Sequence, residues 1–161
     1  MYGPRLDRRR RLLHGPADVK RPLSDALGAT ELAINYYELA PGESFAFGRH
    51  RHAAQEEVFY VQQGTVTFET GPPDGDPGRV TITAGEVIRF GPGEWQRGVN
   101  EGEERVVALA LGAPQETGET TLSRECPDCG ERTEATIEMT DDRDALVTRC
   151  VECGAETGRF D

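Results

Sequence analysis

The sequence predicts an all-β protein with a small cysteine module at its C-terminal end. Short runs rich in β-branched and aromatic residues recur between Glu31 and Gly112, as half-buried strands require. Nineteen Gly and ten Pro punctuate the chain, enough for the many turns of a short-stranded protein. All four cysteines fall between 126 and 153, in two Cys-x2-Cys-Gly groups.

The strand-like runs follow one another, each with a turn signal behind it. ELAINYYELA, 31–40, ends at Pro41-Gly42, a turn pair. Over Ser44 to His52, strict alternation places Ala46, Gly48, His50 and His52 on one face and Phe45, Phe47, Arg49 and Arg51 on the other. Small residues beside the histidines would leave room for a ligand; a bulge at Gly48 would shift this register. Glu57 to Val61 comes next, and Gln63-Gly64 turns it into Thr65 to Glu69. Residues 70–78, TGPPDGDPG, read as an irregular loop. Val80 to Thr83 and Val87 to Phe90 flank a turn at Ala84-Gly85. Trp95 and Gln96 should face opposite sides, so an inward Gln96 sends Trp95 outward. RVVALALG, 105–112, alternates and reads as the last strand of this body.

The chemistry gathers between Gly48 and Gly64. His50 and His52 stand two apart and share a strand face, and Glu57 opens the next strand. Two imidazoles and a carboxylate with positions left open suit a divalent transition metal. Glu56 is an alternative ligand, but parity turns it away from the face of Glu57. His14 lies outside this constellation.

These residues resemble the first motif of the cupins, His-x-His-x4-Glu-x6-Gly, as His50, His52, Glu57 and Gly64. Gly85, Pro92-Gly93 and Asn100 resemble the second motif, except that Gln96 stands where the superfamily has its fourth ligand, a histidine. The resemblance covers roughly residues 30–112. It implies a double-stranded β-helix, the jelly-roll barrel, in a small single-domain cupin. It also implies a mononuclear metal on His50, His52 and Glu57, with Gln96 as an amide ligand, as a group that orients a substrate, or as the partner that holds Glu57. An amide in place of an imidazole favours ions such as Mn or Fe, and another divalent metal is also open. Cupins are often dimers, so a homodimer is expected.

The two Cys groups are Cys126-Pro-Asp-Cys129-Gly and Cys150-Val-Glu-Cys153-Gly, twenty residues apart. Paired knuckles of this kind read as a closed tetrahedral zinc site, and the segment resembles a zinc ribbon of the Cys-Pro-x-Cys-Gly type. ATIEMT and ALVTRC supply two strands around a turn at 141–144. A rubredoxin-type iron site uses similar knuckles among core aromatics, but Phe160 is the one aromatic here. Disulfides are disfavoured in a chain with no export signal. So small a module depends on its metal to fold.

The expected organisation is a basic arm at 1–25, a cupin barrel at 26–113, a linker at 114–121 and a zinc ribbon at 122–161. The wider stretch 112–125 is polar and reads as connecting chain. The arm carries seven Lys/Arg against three Asp/Glu, while the whole chain has net charge −11. Residues 115–161 hold five Arg and thirteen Asp/Glu, a charge that argues against contact with nucleic acid. Among 18 cationic side chains Lys20 is the sole lysine. An acidic, Lys-poor surface suits solubility in high salt, pointing to a halophilic, haloarchaeal-type source. The sequence shows no apolar run long enough to span a membrane and no apolar stretch of signal length behind Arg8–Arg11, so a cytoplasmic protein is expected.

Three functional classes follow, of which a structural or storage protein has little support in the sequence. Of the remaining two, one is a metal-dependent oxygenase, isomerase or hydrolase acting on a small oxygenated or anionic molecule. The other is a ligand-binding or sensory barrel whose ribbon contacts a protein partner. No second acid, base or nucleophile beside the motifs separates them.

Overall fold

The computed structural model describes residues 14–161, and among them two sheets account for nearly all the regular structure. In chain order the elements are β1 Val19–Pro22, the one-turn helix α1 Ser24–Leu27, β2 Ala33–Leu39, β3 Arg49–His52, β4 Glu56–Gln63 and β5 Thr65–Thr70. Then come β6 Gly78–Thr83, β7 Val87–Phe90, β8 Gln96–Val99, β9 Val106–Ala113 and β10 Thr120–Glu125. The last three are β11 Arg132–Met139, β12 Leu146–Cys150 and β13 Glu156–Phe160. One sheet runs β1-β2-β9-β4-β7 and the other β13-β12-β11-β10-β3-β8-β5-β6.

The inner faces close on an aromatic core. Phe59 and Phe68 are 5.0 Å apart between ring centroids, Phe68 and Phe90 5.3 Å, and Phe45 and Phe59 4.9 Å. Phe59 and Phe90 come from the first sheet and Phe68 from the second, so the cluster ties the layers together. Each such side chain contributes about 1.5–3 kcal/mol by burial. Facing these rings, β9 turns Val106, Ala108 and Ala110 inward and leaves Val107, Leu109 and Leu111 outside. Its small residues fill what the rings leave.

Four expectations are revised. The chain bends over 45–48, and only Arg49–His52 is a strand. Parity from Ser44 therefore fails: Phe45 is a core residue, not an outer one. Gly98 makes the space, since a Cβ there would sit 2.6 Å from the Phe45 ring. Gly48 packs against the Ser123 carbonyl and Arg124 of β10 and leaves no room for a ligand. The stretch read as connecting chain ends in a strand, β10, which pairs with β3 from Thr120↔His52 to Ser123↔Arg49. This pairing supplies hydrogen-bond partners that β3 would otherwise lack, because β8 meets it through His50↔Gln96 alone. The cysteine module thus continues the barrel's second sheet. Residues 19–22, read as part of the arm, form β1 on the edge of the first sheet, with Lys20 opposite Tyr37. The rest of the expected arm, residues 1–13, lies outside the described residues.

Trp95 faces outward, its ring 5.0 Å from the Arg51 guanidinium. Gly64, at φ 80°, makes the β4–β5 turn in a conformation that L side chains seldom adopt.

Candidate metal centres

Strand β3 turns His50 and His52 to the barrel interior, their ring centroids 5.0 Å apart. His50 is buried, with Nδ1 3.3 Å from the Gly48 carbonyl. His52 Nδ1 lies 2.9 Å from Thr120 Oγ1 on β10. Fixing one ring nitrogen orients the other for a ligand. On β4, Glu57 points in and brings Oε2 to 3.5 Å from His52 Nε2. Glu56 points out and pairs with Arg89 at 2.6 Å, which removes it as a ligand. One ligand atom each from His50, His52 and Glu57 lies within 4.8 Å of the others.

Gln96, 2% exposed, stands beside this group. Its Nε2 donates to Glu57 Oε2 at 2.6 Å, while its Oε1 is buried with no hydrogen-bond partner. An unmet buried acceptor costs about 1–3 kcal/mol, a demand a bound cation would meet. The donor set thus fits a divalent ion.

Electrostatics prepare the same state. Burial presses the pKa of His50 below its usual 6.5, against the pull of Glu57. Burial opposes ionisation of Glu57, but its bond with His52 and the charges of both histidines outweigh it, and its pKa is lowered. Near neutral pH the trio is a carboxylate with a neutral His50, the form that binds metal.

Two further residues lie near enough to feel the charges of this group, beside a cavity that none of its four residues lines. Tyr37 is buried on β2, and Lys20 Nζ lies 5.5 Å from its ring centroid. Burial raises the phenol's pKa, Lys20 lowers it and Glu57 raises it. Both line a cavity of about 240 Å³ with His14, Phe45, Phe47 and Met139. Sequence reasoning missed Lys20, Tyr37 and Thr120 in this role. Only the singularity of Lys20 marked any of them.

The second centre is the cysteine cluster. Cys126 Sγ is 3.5 Å from Cys153 Sγ, and Cys129 Sγ 3.9 Å from Cys150 Sγ. A tetrahedron with metal–sulfur bonds near 2.3 Å has edges of about 3.8 Å, and disulfides would be far shorter. The two knuckles repeat one hydrogen-bond pattern: Gly130 N to Cys126 O at 3.0 Å and Gly154 N to Cys150 O at 2.9 Å. The Thr133 hydroxyl, 3.1 Å away, is the main cause holding the Cys150 thiol at about 6, although burial opposes it. Contacts with Cys153 and Cys126 push the Cys129 thiol upward.

Comparison with known proteins bears on the barrel. Residues 35–112 match the family described as the cupin domain. No curated protein matches significantly in sequence. A sugar phosphate isomerase of the cupin superfamily from Silicibacter pomeroyi is 21% identical at a TM-score of 0.55, over 88% of this chain and 74% of that one. An oxalate oxidase in complex with the substrate analogue glycolate is 18% identical at 0.52, over 64% and 52%. An uncharacterised conserved protein with a double-stranded β-helix domain from Klebsiella pneumoniae is 17% identical at 0.50, over 74% and 90%. At these identities the likeness is one of fold. The chain is thus an all-β protein whose residues 35–112 match the cupin domain and take the double-stranded β-helix of the cupin superfamily.

Proposed function

We propose that the barrel holds one divalent metal, Mn or Fe, on His50, His52 and Glu57, with Gln96 Oε1 as a further ligand, and takes up a small anionic organic molecule. The observation that carries this reading is the unpartnered Gln96 Oε1 buried beside three converging ligand atoms. A metal there supplies Lewis-acid polarisation of a coordinated oxygen. The chain's own residues do the rest. Lys20 and Tyr37 offer a cation and a hydroxyl to a carboxylate or oxyanion. The aromatic core excludes water behind it. Glu57, held by Gln96 and beside His52, stays ionised and would keep its charge on the ion. The activity this suits is oxygenation, isomerisation or hydrolysis of a small oxygenated acid. The similar solved structures include enzymes named for a sugar phosphate and for oxalate; their likeness is of fold, and the substrate class rests on the residues.

The four cysteines hold structural zinc in this reading, as a ribbon. A second reading is a binding or sensory barrel whose ribbon meets a protein partner. Ile137, Met139 and Val151, about half exposed on the module, favour it. A second copy of the chain is the expected partner at the barrel, where the cross-strand pair Tyr60 and Val87 is exposed.

Elemental mass spectrometry tests the proposal, on protein purified without chelator or metal resin. Wild type should hold two metals, a His50→Ala/His52→Ala variant should lose a non-zinc ion, and a Cys126→Ser/Cys129→Ser variant should lose zinc. A single zinc that only the cysteine change removes would refute the barrel site.

A further inference from the structure

The second sheet has two faces. The inner carries His50 and Gln96; the outer carries their chain neighbours Arg49 and Arg97, because strand residues alternate. Arg49 is 2% exposed. Its Nη1 donates to the Pro72 carbonyl at 3.0 Å, and its Nε has no partner. Arg97 Nε is also buried and unpartnered, with Glu69 3.9 Å from Arg97 Nη1. Arg49 and Arg97 join Arg124 and Arg132 around a groove of about 810 Å³ between barrel and cysteine module.

A chain of net charge −11 has here brought four of its 18 cationic side chains together. Burial first, and then the charge of Arg132, lowers the pKa of Arg49; burial and the charges of Arg97 and Arg132 do the same to Arg124. Glu69 pulls the other way on Arg49, so four guanidinium groups share Glu69 and Glu125 as their near acidic partners. Arg124 is committed elsewhere, donating to the Thr157 carbonyl at 3.0 Å and to the Phe47 carbonyl. The donors with capacity to spare therefore belong to Arg49 and Arg97, whose Nε groups have no partner, and to Arg132, whose Glu125 contact is long and exposed. Glu125, Glu131 and Glu156 also border the groove. Glu125 approaches Arg132 at 3.5 Å from a side chain that is 80% exposed.

We propose that this groove binds a small phosphate-bearing anion between Arg49, Arg97 and Arg132. The guanidinium fork matches phosphate oxygens two at a time, and the two buried Nε donors have already lost their water. The glutamates at the groove repel a long polyanion, which selects a compact ligand over nucleic acid. Free phosphate and the phosphate group of a small metabolite present the same chemistry. The site stands apart from the barrel metal and does not rest on the reading given for it.

Calorimetry on the full chain tests this, with inorganic phosphate and with glycerol 2-phosphate at matched ionic strength in chloride. Binding of either is expected, and the tighter one identifies the source. Arg97→Gln and Arg132→Gln should each weaken binding about tenfold while circular dichroism and metal content stay unchanged. The His50→Ala/His52→Ala variant should bind phosphate as wild type does. Absence of binding at millimolar ligand, unchanged affinity in both arginine variants, or loss in the histidine variant would overturn the proposal. So would displacement by single-stranded DNA at affinity equal to phosphate.

Discussion

Thr120 and His52 face each other across the β10–β3 ladder, with Thr120 Oγ1 2.9 Å from His52 Nδ1. A residue from beyond the cupin match thereby holds one ring nitrogen of a candidate ligand inside it. Thr120→Val should lower barrel-metal affinity about tenfold, and Thr120→Ser should restore it. Metal titration of the chelated protein checks this. Equal affinity in all three would show that Thr120 does not position the ring.

Acid should destabilise the metal-free protein in two steps. His50 has its pKa lowered below 6.5 by burial. Between the two values the unfolded chain binds the extra proton, so stability falls as pH drops through that window. Glu57 has its pKa lowered below 4.5; its contribution is present above 4.5 and is lost as pH falls towards the folded value. Urea midpoints measured in chelator from neutral pH downwards should show both losses, and His50→Gln should remove the upper one. A midpoint flat across the histidine window would contradict the burial of a neutral His50.

Stripping the cysteine cluster should reach the barrel. With a thiol-reactive mercurial and chelator, β11 to β13 should lose amide protection first, as in modules folded by their metal. Barrel-metal affinity should fall with them, because β10 pairs with both β11 and β3. Hydrogen exchange together with metal titration reads the two effects. Protection of β11 to β13 unchanged after stripping would mean that the module folds without metal.

Gly64→Ala should cost about 1–3 kcal/mol. Its φ is 80°, and an added Cβ would lie 2.7 Å from the Arg105 carbonyl. Thermal unfolding checks it. A shift no larger than that of an exposed loop substitution would mean that the turn relaxes freely.

The histidine pair, Glu57 and both knuckles were legible because each is a local pattern: strand period two, or a fixed cysteine spacing. Gln96 was legible through the spacing of the second motif, but its free Oε1 was not. Thr120 is 68 residues from His52, and no local period reports such a pairing. Tyr37 and Lys20 were hidden for the same reason, since β1 was read as arm. Phe45 was misplaced because its inward turn depends on Gly98, fifty-three positions away (98 − 45).

The pairing of β3 also has a consequence for synthesis. A nascent chain that has emerged only to Ala113 already contains every strand of the first sheet, yet the strand bearing His50 and His52 still has one side open. Until Thr120–Glu125 clears the ribosome, that edge is free to recruit another strand, from this chain or a neighbouring one. The histidines therefore reach their final geometry late in translation, and a stall in the intervening segment would leave a nearly complete barrel whose histidine strand still lacks one neighbour.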